Sequence, residues 1–423
     1  MTLLSPHLPL PPLEIVRGYG VWLEGSDGAR YFDASSGSVC VNVGHAQPHV
    51  VSAIANQASR IAFGHPGVRR PRELEALTDH LLARIATLQH ALLFSTTGTA
   101  AVELAIALAR QYQRSSGYRR RHRIVTADLG YHGSSALTLG LSGHRRRRPT
   151  VEESFGLSPS FHAPYGRSAG LDHSCDQTCA DEVAAVIDSE EDVAAVLIEP
   201  VNGTTGGGFS PPSGYLTQLR SICRSRGVLL IHDEVLTGLG RCGSPLASDA
   251  CAEASPDLTV LSKGLGAGYA VISAVLISPE VIPAIENSGE PLPMMGTMAG
   301  APLAAATALA VQEVLDEIGA FAAASRGSAL FEALRSRLAP FEIVRDVRGR
   351  GFFYGVELAP ATAPVLLQAA RAESIQLYPF NGFLPDGSGE GIIVAPPLTA
   401  VDDELGWLLD RLEAAFSVVR PPR

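Results

Sequence analysis

Short apolar runs alternate with helix-like stretches through the middle of the chain, from about residue 71 to 290. The runs are Ala91–Phe94, Ile124–Thr126, Val193–Ile198, Val228–Ile231, Leu258–Leu261 and Ala274–Ile277. Apolar runs of this length between turn residues are typical of buried strands, whereas Ala100–Gln113 has the length and spacing of a helix. This alternation predicts an α/β fold in which a mostly parallel sheet is covered by helices.

The two ends of the chain have a different pattern. Gly20–Glu24 and Ala29–Asp33 are alternating segments separated by a glycine turn, which predicts a small antiparallel ribbon. The tail from about residue 318 contains strand-like Phe352–Glu357 and Ile392–Ala395, after a helix-like stretch at Ala301–Gln312. We therefore expect residues 71–317 to form a large domain, and residues 1–70 and 318–423 to form a smaller α+β domain together.

Composition limits the classes of partner. The 423 residues are 46% hydrophobic and 18% charged, which is typical of a globular protein with two lobes. The net charge of −10 gives no general attraction to nucleic acid or to anionic membranes. Two basic runs, Arg119–Arg123 and Arg145–Arg148, contain no interleaved aromatic residues, so solvated loops are favoured over a nucleic-acid surface. No apolar stretch is long enough to cross a membrane.

The cysteines are scattered, and the first residues do not have the pattern of a secretory signal, so we expect a reducing, cytoplasmic location. His173, Cys175 and Cys179 were considered as zinc ligands. A second clustered pair of ligands is missing from that segment, and no metal is expected.

Two residues at the ends of strand-like runs are candidate catalytic groups. Lys263 follows Leu258–Ser262 and opens a glycine-rich turn, while Asp233 ends the run that begins at Val228. A buried carboxylate needs a cation, and a partly desolvated lysine has an available neutral amine. Together they are what pyridoxal phosphate (PLP) requires, although a surface lysine and an ordinary glycine loop are the simpler reading of Lys263 alone.

Three further segments fit the same cofactor. Gly98 and Thr99 begin a predicted helix, whose free amides favour a phosphate, although an ordinary helix cap has the same pattern. Tyr131 could stack on a planar ring or be a core aromatic residue. Thr297 could donate another hydrogen bond to the phosphate or simply cap the next helix.

The order of these motifs along the chain resembles the class III (subgroup II) aminotransferases of PLP fold type I. The motifs are Gly44–Pro48, Glu199–Gly206, Asp233–Arg241, Ser262–Gly266, Thr297–Pro302, Arg348–Gly351 and Ala395–Leu398. The loop Leu377–Gly382 is similar to the ω-aminotransferase-like branch. The resemblance covers nearly the whole chain and implies ping-pong transfer of an amino group from an amine or amino acid to an oxo acid.

The resemblance also implies roles for particular residues. Lys263 would form the Schiff base with PLP, and Asp233 would hold the ring nitrogen. The phosphate would be bound by Gly98 and Thr99 of one subunit and by Thr297 of the other, in a homodimer with composite sites. The ring would lie between Tyr131 and Val235, with Glu199 near the cofactor and the substrate.

The substrate pocket departs from the family pattern. Ile393 stands where acetylornithine-type relatives place an arginine that binds an α-carboxylate. Further candidates for the pocket are Trp22, Cys40, Arg241, Met298 and Arg350. We expect an amine or ω-amino donor and an oxo-acid or aldehyde acceptor. A PLP-dependent epimerase or aminomutase, or a non-catalytic PLP-binding protein, would share the cofactor residues.

Overall fold

The computed structural model describes residues 12–64, 68, 71–85, 90–143, 160–163, 178–250, 252–293, 296–384 and 386–421. Three sheets organise these residues. A seven-stranded sheet lies in the middle of the chain, and two four-stranded sheets are formed by its ends. The expected α/β architecture, with a large sheet and a smaller α+β part built from both ends, is confirmed.

The seven-stranded sheet has the order β4-β10-β9-β8-β7-β5-β6. Its strands are β4 (Ala91–Ser95), β5 (Arg123–Ala127), β6 (Ser160–Ala163), β7 (Val193–Ile198), β8 (Leu229–Asp233), β9 (Leu258–Leu261) and β10 (Ser273–Ile277). Strands β5 to β9 pair in parallel, whereas β10 is antiparallel to both β4 and β9. The sheet is therefore mostly parallel, as expected, and the sequence pattern missed β6 and the reversed direction of β10.

The other two sheets come from the ends of the chain. The first has the order β1-β2-β3-β13 and consists of β1 (Ile15–Tyr19), β2 (Trp22–Gly25), β3 (Arg30–Asp33) and β13 (Ile375–Gln376). The second has the order β11-β12-β15-β14 and consists of β11 (Val344–Arg350), β12 (Phe353–Leu358), β14 (Tyr378–Asn381) and β15 (Glu390–Val394). The parallel pairing of β13 with β3 joins the N-terminal ribbon to the C-terminal lobe.

Helices cover these sheets. In chain order they are α1 (Pro48–Ala58), α2 (Arg72–Ile85), α3 (Gly98–Ser115), α4 (Ala136–Leu141), α5 (Thr178–Ser189), α6 (Tyr215–Arg226), α7 (Ile282–Glu286), α8 (Pro302–Glu317), α9 (Ala324–Leu338), α10 (Ala363–Ala372) and α11 (Asp402–Ser417). Helix α3 begins where Thr97 accepts a hydrogen bond from the amide of Ala100. It buries an apolar face, which includes Leu104 and Leu108, against the central sheet. This packing fixes the start of α3 beside the ends of the neighbouring strands.

An aromatic cluster packs the N-terminal ribbon against the last helix. Phe32 of β3 is fully buried, and its ring centre lies 5.3 Å from that of Trp22 and 5.9 Å from that of Trp407 in α11. The rings of Trp22 and Trp407 meet edge to face at 4.9 Å. Trp22 thus packs, partly buried, against the core of the small lobe, and its assignment to the substrate pocket stays a prediction. The domain boundaries at 70/71 and 317/318 stay a prediction.

Several expectations concern surfaces and partners. The basic run 119–123 leads into β5, which begins at Arg123, and Arg120 and Arg123 pair with Glu191 and Asp192, respectively. The run Arg145–Arg148, together with His173 and Cys175, lies outside the described residues, and Cys179 is disulfide-bonded. Within the described ranges, no cluster of three or more His, Cys, Asp or Glu side chains is placed to hold a metal ion. None of the helices described above is long and apolar enough to span a membrane.

We predict that Phe32→Ala lowers the free energy of unfolding of the cofactor-free protein by about 3–5 kcal/mol, because it empties a fully buried aromatic site. Urea unfolding followed by tryptophan fluorescence would measure the change. Val418→Ala is the control, since Val418 is 70% exposed and its truncation should change stability by less than about 0.5 kcal/mol. Equal stability of the Phe32→Ala variant and the parent would contradict the shared core.

Candidate active site

The chemically important residues of the large domain follow five strands that point in one direction. Strand β4 is parallel to β9 because β10 is antiparallel to both. Strands β5, β7, β8 and β9 are parallel to one another. The residues that follow these strands must therefore meet at one edge of the sheet, where ligands of open α/β sheets bind.

A cavity of about 200 Å³ lies at this edge. Its walls are formed by Gly98, Thr99, Tyr131, His132, Gly133, Glu199, Thr204, Asp233, Val235, Leu236, Ser262 and Lys263. The structure thus brings together the lysine, the two carboxylates, the aromatic ring and the helix start that the sequence analysis selected. His132, Gly133, Thr204, Leu236 and Ser262 line the same cavity and were not selected as site residues.

Lys263 follows β9 and is half-buried. Its backbone φ is 33°, in the left-handed region that non-glycine residues rarely occupy. The amide of Ala267 donates to the Lys263 carbonyl at 2.7 Å, which helps to hold the tight turn after the strand. Burial lowers the pKa of the Lys263 amine, although Cys40, Glu199 and Asp233 nearby favour its charged form. A neutral amine, which is the nucleophilic form, is therefore more accessible here than in water.

Asp233 lies at the end of β8 and is almost completely buried. Its Oδ1 accepts a hydrogen bond from the amide of Val235 at 3.1 Å, and its Oδ2 lies 2.8 Å from Nδ1 of His132. The imidazole therefore holds the carboxylate in one orientation. His132 is also buried, and its Nε2 has no hydrogen-bond partner among the described residues. His132 could have been predicted as a site residue only from its position next to Tyr131 in the sequence.

Glu199 follows β7 and is buried beside the cavity. Its Oε2 accepts from the amide of Tyr131 at 3.2 Å and from Nδ2 of Asn202 at 3.1 Å. Its Oε1 accepts from the amide of Gly203 at 3.0 Å. Burial raises the pKa of Glu199 to about 7, even though these donors favour the carboxylate. The group can therefore bind or release a proton near neutral pH.

The start of α3 forms a second side of the cavity. The amides of Gly98 and Thr99 are the first of this helix and have no acceptor within it, so they favour an anion. A Cβ on Gly98 would lie 3.0 Å from Cγ1 of Val235, so a side chain would crowd this wall. Gly133 has a φ of 134°, and a Cβ there would lie 2.7 Å from Oγ1 of Thr99. These glycines keep the anion site open.

Arg241 joins several segments of the fold. It is fully buried, and Nη1 donates to the carbonyls of Phe352 and Pro396 at 3.1 and 2.7 Å. Nη2 donates to Oγ of Ser36 at 3.2 Å and to Oδ1 of Asn42 at 2.7 Å. Burial lowers the pKa of Arg241 to about 10. Because these donors join segments of the fold, the geometry favours a structural role for Arg241, and its carboxylate-binding role stays a prediction.

The remaining pocket candidates lie elsewhere. Arg350 donates from Nη1 to the carbonyl of Ala247 at 3.0 Å and does not line the cavity. Ile393 is fully buried in the core, and its assignment to the substrate pocket stays a prediction. Thr297 and Met298 are exposed and are not among the residues that line the cavity. Cys40 is a half-buried free thiol near Lys263, and its role stays a prediction.

The cavity residues fit a bound PLP. The helix amides suit its phosphate, the buried carboxylate of Asp233 suits a protonated ring nitrogen, and the amine of Lys263 suits its aldehyde. Tyr131 and Val235 both line the space between these groups. The groups around the cavity are therefore those that a PLP enzyme requires.

Comparison with known proteins identifies the family. The family model "Aminotransferase class-III" matches residues 5–416. The chain belongs to the class III aminotransferases. This aminotransferase is 33% identical to the acetylornithine aminotransferase of Agrobacterium fabrum, over 96% of its own length and 93% of that protein. It is 30% identical to the omega-aminotransferase of Caulobacter vibrioides, over 95% and 92% of the two chains.

A solved structure has the same fold. An amine transaminase from an uncultivated Pseudomonas species, in its PLP-bound form, matches with a TM-score of 0.86 and 30% identity over 96% of this chain and 95% of that chain. The class III aminotransferase described here is thus a PLP-dependent enzyme that transfers amino groups.

We predict that His132→Leu weakens PLP binding and lowers kcat by about 10- to 100-fold, because a buried carboxylate that loses one donor costs about 1–3 kcal/mol. His132→Asn keeps a donor in nearly the same place and should retain most of both properties. Titration of the cofactor-free variants with PLP, followed by absorbance, gives the affinity. A leucine variant with the parent's affinity and rate would show that Asp233 does not need this partner.

Proposed function

We propose that this aminotransferase takes its amino group from an amine or ω-amino donor without a carboxylate on the reacting carbon. The acceptor is an oxo acid or an aldehyde. The charged groups of the cavity support this proposal. The described residues that line it include the carboxylates Glu199 and Asp233 and the amine Lys263, but no arginine. An α-carboxylate bound beside Lys263 would lack a guanidinium partner there, which costs several kcal/mol in a desolvated site.

The contacts of the two arginines that could bind a substrate carboxylate support the same proposal. Nη1 and Nη2 of Arg241 donate to acceptors of the fold, and Arg350 contacts the carbonyl of Ala247 outside the cavity. Ile393 occupies the position where acetylornithine-type relatives place an arginine, and its side chain packs in the core. The names of the Caulobacter omega-aminotransferase and of the Pseudomonas amine transaminase agree with this choice of donor.

The residue roles follow from the geometry and the family. When bound, PLP supplies an aldehyde for the substrate nitrogen and a ring that accepts electrons from the reacting carbon. The freed amine of Lys263 moves a proton at the substrate carbon, since its lowered pKa makes the neutral form accessible. Asp233, held by His132, keeps a proton on the ring nitrogen. Gly98 and Thr99 bind the phosphate, Tyr131 and Val235 hold the ring, and Glu199 faces the cofactor and substrate.

Matched donor pairs test the substrate proposal. 1-Phenylethylamine and phenylglycine differ only in a methyl or a carboxylate on the reacting carbon, and 2-aminobutane and 2-aminobutyrate differ in the same way. With butanal as acceptor, which has no carboxylate, we expect kcat/KM for each amine to exceed that for its α-amino acid by about 100-fold or more. Both amines should show ping-pong kinetics, and Lys263→Ala should be inactive with every pair.

Two outcomes would contradict this assignment. Faster turnover of phenylglycine and 2-aminobutyrate at their α-amino groups than of every simple amine would place an unrecognised cation at the α-carboxylate. Conversion of a donor to an isomer, with no amino group passed to the acceptor, would indicate an epimerase or aminomutase.

We further propose that the enzyme is a homodimer with composite sites. Thr297 matches a family position that reaches the phosphate of the other subunit, and its exposed location outside its own protomer's cavity supports this arrangement. Exposed apolar side chains lie near Thr297 in the sequence, namely Leu292, Met298 and Leu303. Burial between subunits would remove them from water.

Subunit mixing tests the composite site. Lys263→Ala and Thr297→Tyr homodimers should each be inactive, because each lacks one part of every site. A mixed dimer should recover up to about half of the parent's activity, since one of its two sites carries neither substitution. Light scattering gives the mass of the active species. An active monomer, or no recovery in verified mixed dimers, would contradict the shared site.

We also propose that the enzyme works in the cytoplasm without nucleic-acid or membrane partners. The free thiols of Cys40, Cys223 and Cys242 support a reducing compartment, whereas the disulfide at Cys179 is the feature that opposes it. Cell fractionation with thiol labelling of Cys179 would decide between a cytoplasmic and an oxidising location.

A further inference from the structure

A hydrogen-bonded turn carries the carboxylate of Glu199. Asn202 is fully buried; its Nδ2 donates to Oε2 of Glu199 at 3.1 Å and to the carbonyl of Leu129 at 3.0 Å. Its Oδ1 accepts from the amide of Gly206 and from Oγ1 of Thr205. The amide of Gly208 donates to the Asn202 carbonyl at 3.1 Å. The turn from Asn202 to Gly208 therefore places two of the donors that hold Glu199, namely Asn202 and the amide of Gly203.

Arg348 of β11 holds this turn from the small lobe. Its Nε donates to the carbonyl of Gly206 at 2.8 Å, and its Nη1 lies 2.9 Å from Asp346 and 2.7 Å from Glu357. The side chain is 4% exposed, and Nη2 has no hydrogen-bond partner among the described residues. The guanidinium carbon lies 5.7 and 5.4 Å from the ring centres of Phe380 and Phe383. One guanidinium thus joins two acidic side chains of the small lobe to a backbone carbonyl of the turn.

Backbone contacts bring the turn and the small lobe unusually close. A Cβ on Gly208, whose φ is 80°, would lie 3.1 Å from Cα of Gly349. A Cβ on Gly355 of β12 would collide with the carbonyl of Gly207. Glycines of the turn therefore contact glycines of β11 and β12 directly, and no side chain separates the two backbones.

We propose that Arg348 is a positioning residue that fixes the carboxylate of Glu199 in the cavity through the turn Asn202–Gly208. The inference rests on the proposed role of Glu199 beside the cofactor and adds a contact from the small lobe that sets its position. The path runs from Arg348 to Gly206, then through Asn202 to Glu199. Arg348 itself does not touch the cavity.

Hydrogen exchange of the cofactor-free enzyme tests the first part of this path. In Arg348→Met, amides of residues 199–209 should exchange about 10-fold faster or more, because the Gly206 carbonyl loses its donor. Arg348→Lys should show the same local effect with a nearly unchanged melting temperature, since an ammonium can still pair with Asp346 and Glu357 but cannot also reach Gly206. Amides within α3 should be unaffected in both variants.

Arg326→Met is the matched control. Arg326 is another small-lobe arginine that donates to a backbone carbonyl, that of Ala400 at 2.6 Å, and lies over a phenyl ring, that of Phe352. These contacts stay within the small lobe. Loss of this arginine should leave exchange in residues 199–209 unchanged.

A double-mutant cycle tests the second part. If Arg348 acts through Glu199, then Arg348→Lys should weaken PLP binding and lower kcat in the parent, but should add little in a Glu199→Gln background. Unchanged exchange of residues 199–209 in both Arg348 variants, an equal effect of Arg326→Met, or fully additive losses in the cycle would overturn the proposal. The exchange measurement needs neither substrate nor turnover, so a wrong donor class would not affect it.

Discussion

The site depends on the common direction of β4, β5, β7, β8 and β9. Five strands that point the same way place the residues after them at a single edge, although those residues are up to about 165 positions apart in the chain, from Gly98 to Lys263. None of these side chains could reach another from an extended chain. The antiparallel strand β10 is part of this arrangement, because it is the spacer that lets β4 lie parallel to β9.

Burial at that edge gives the groups their reactivity. Lys263 has a lowered pKa and Glu199 a raised one, and in both cases desolvation is the main cause. A cavity that changes both groups in this way must be protected from water on several sides. The central sheet supplies the floor, and the small lobe approaches through the turn that Arg348 holds. The chemistry therefore depends on how the two lobes meet as well as on the strand ends.

The sequence was sufficient for features that depend on local pattern. The apolar runs of β7 and β9 predicted strands with the observed bounds, and the residues after β8 and β9 predicted Asp233 and Lys263 at one edge. It was not sufficient where distant segments decide the outcome. The sequence indicated Arg241 as one candidate for binding a carboxylate, but its hydrogen-bond acceptors come from residues 36, 42, 352 and 396. His132 and Arg348 were missed for the same reason, since their partners are distant in sequence.

The pairing of the two chain ends has a consequence for synthesis. Strand β3 needs β13, and Phe32 needs Trp407, so the N-terminal ribbon meets these partners only after nearly all of the polypeptide has been made. The central sheet, by contrast, draws its described strands from residues 91–277 and can assemble earlier. On the ribosome, we therefore expect the ribbon to stay without these partners until the C-terminal lobe has been made, and we expect the closing of this long loop to be a late step of folding.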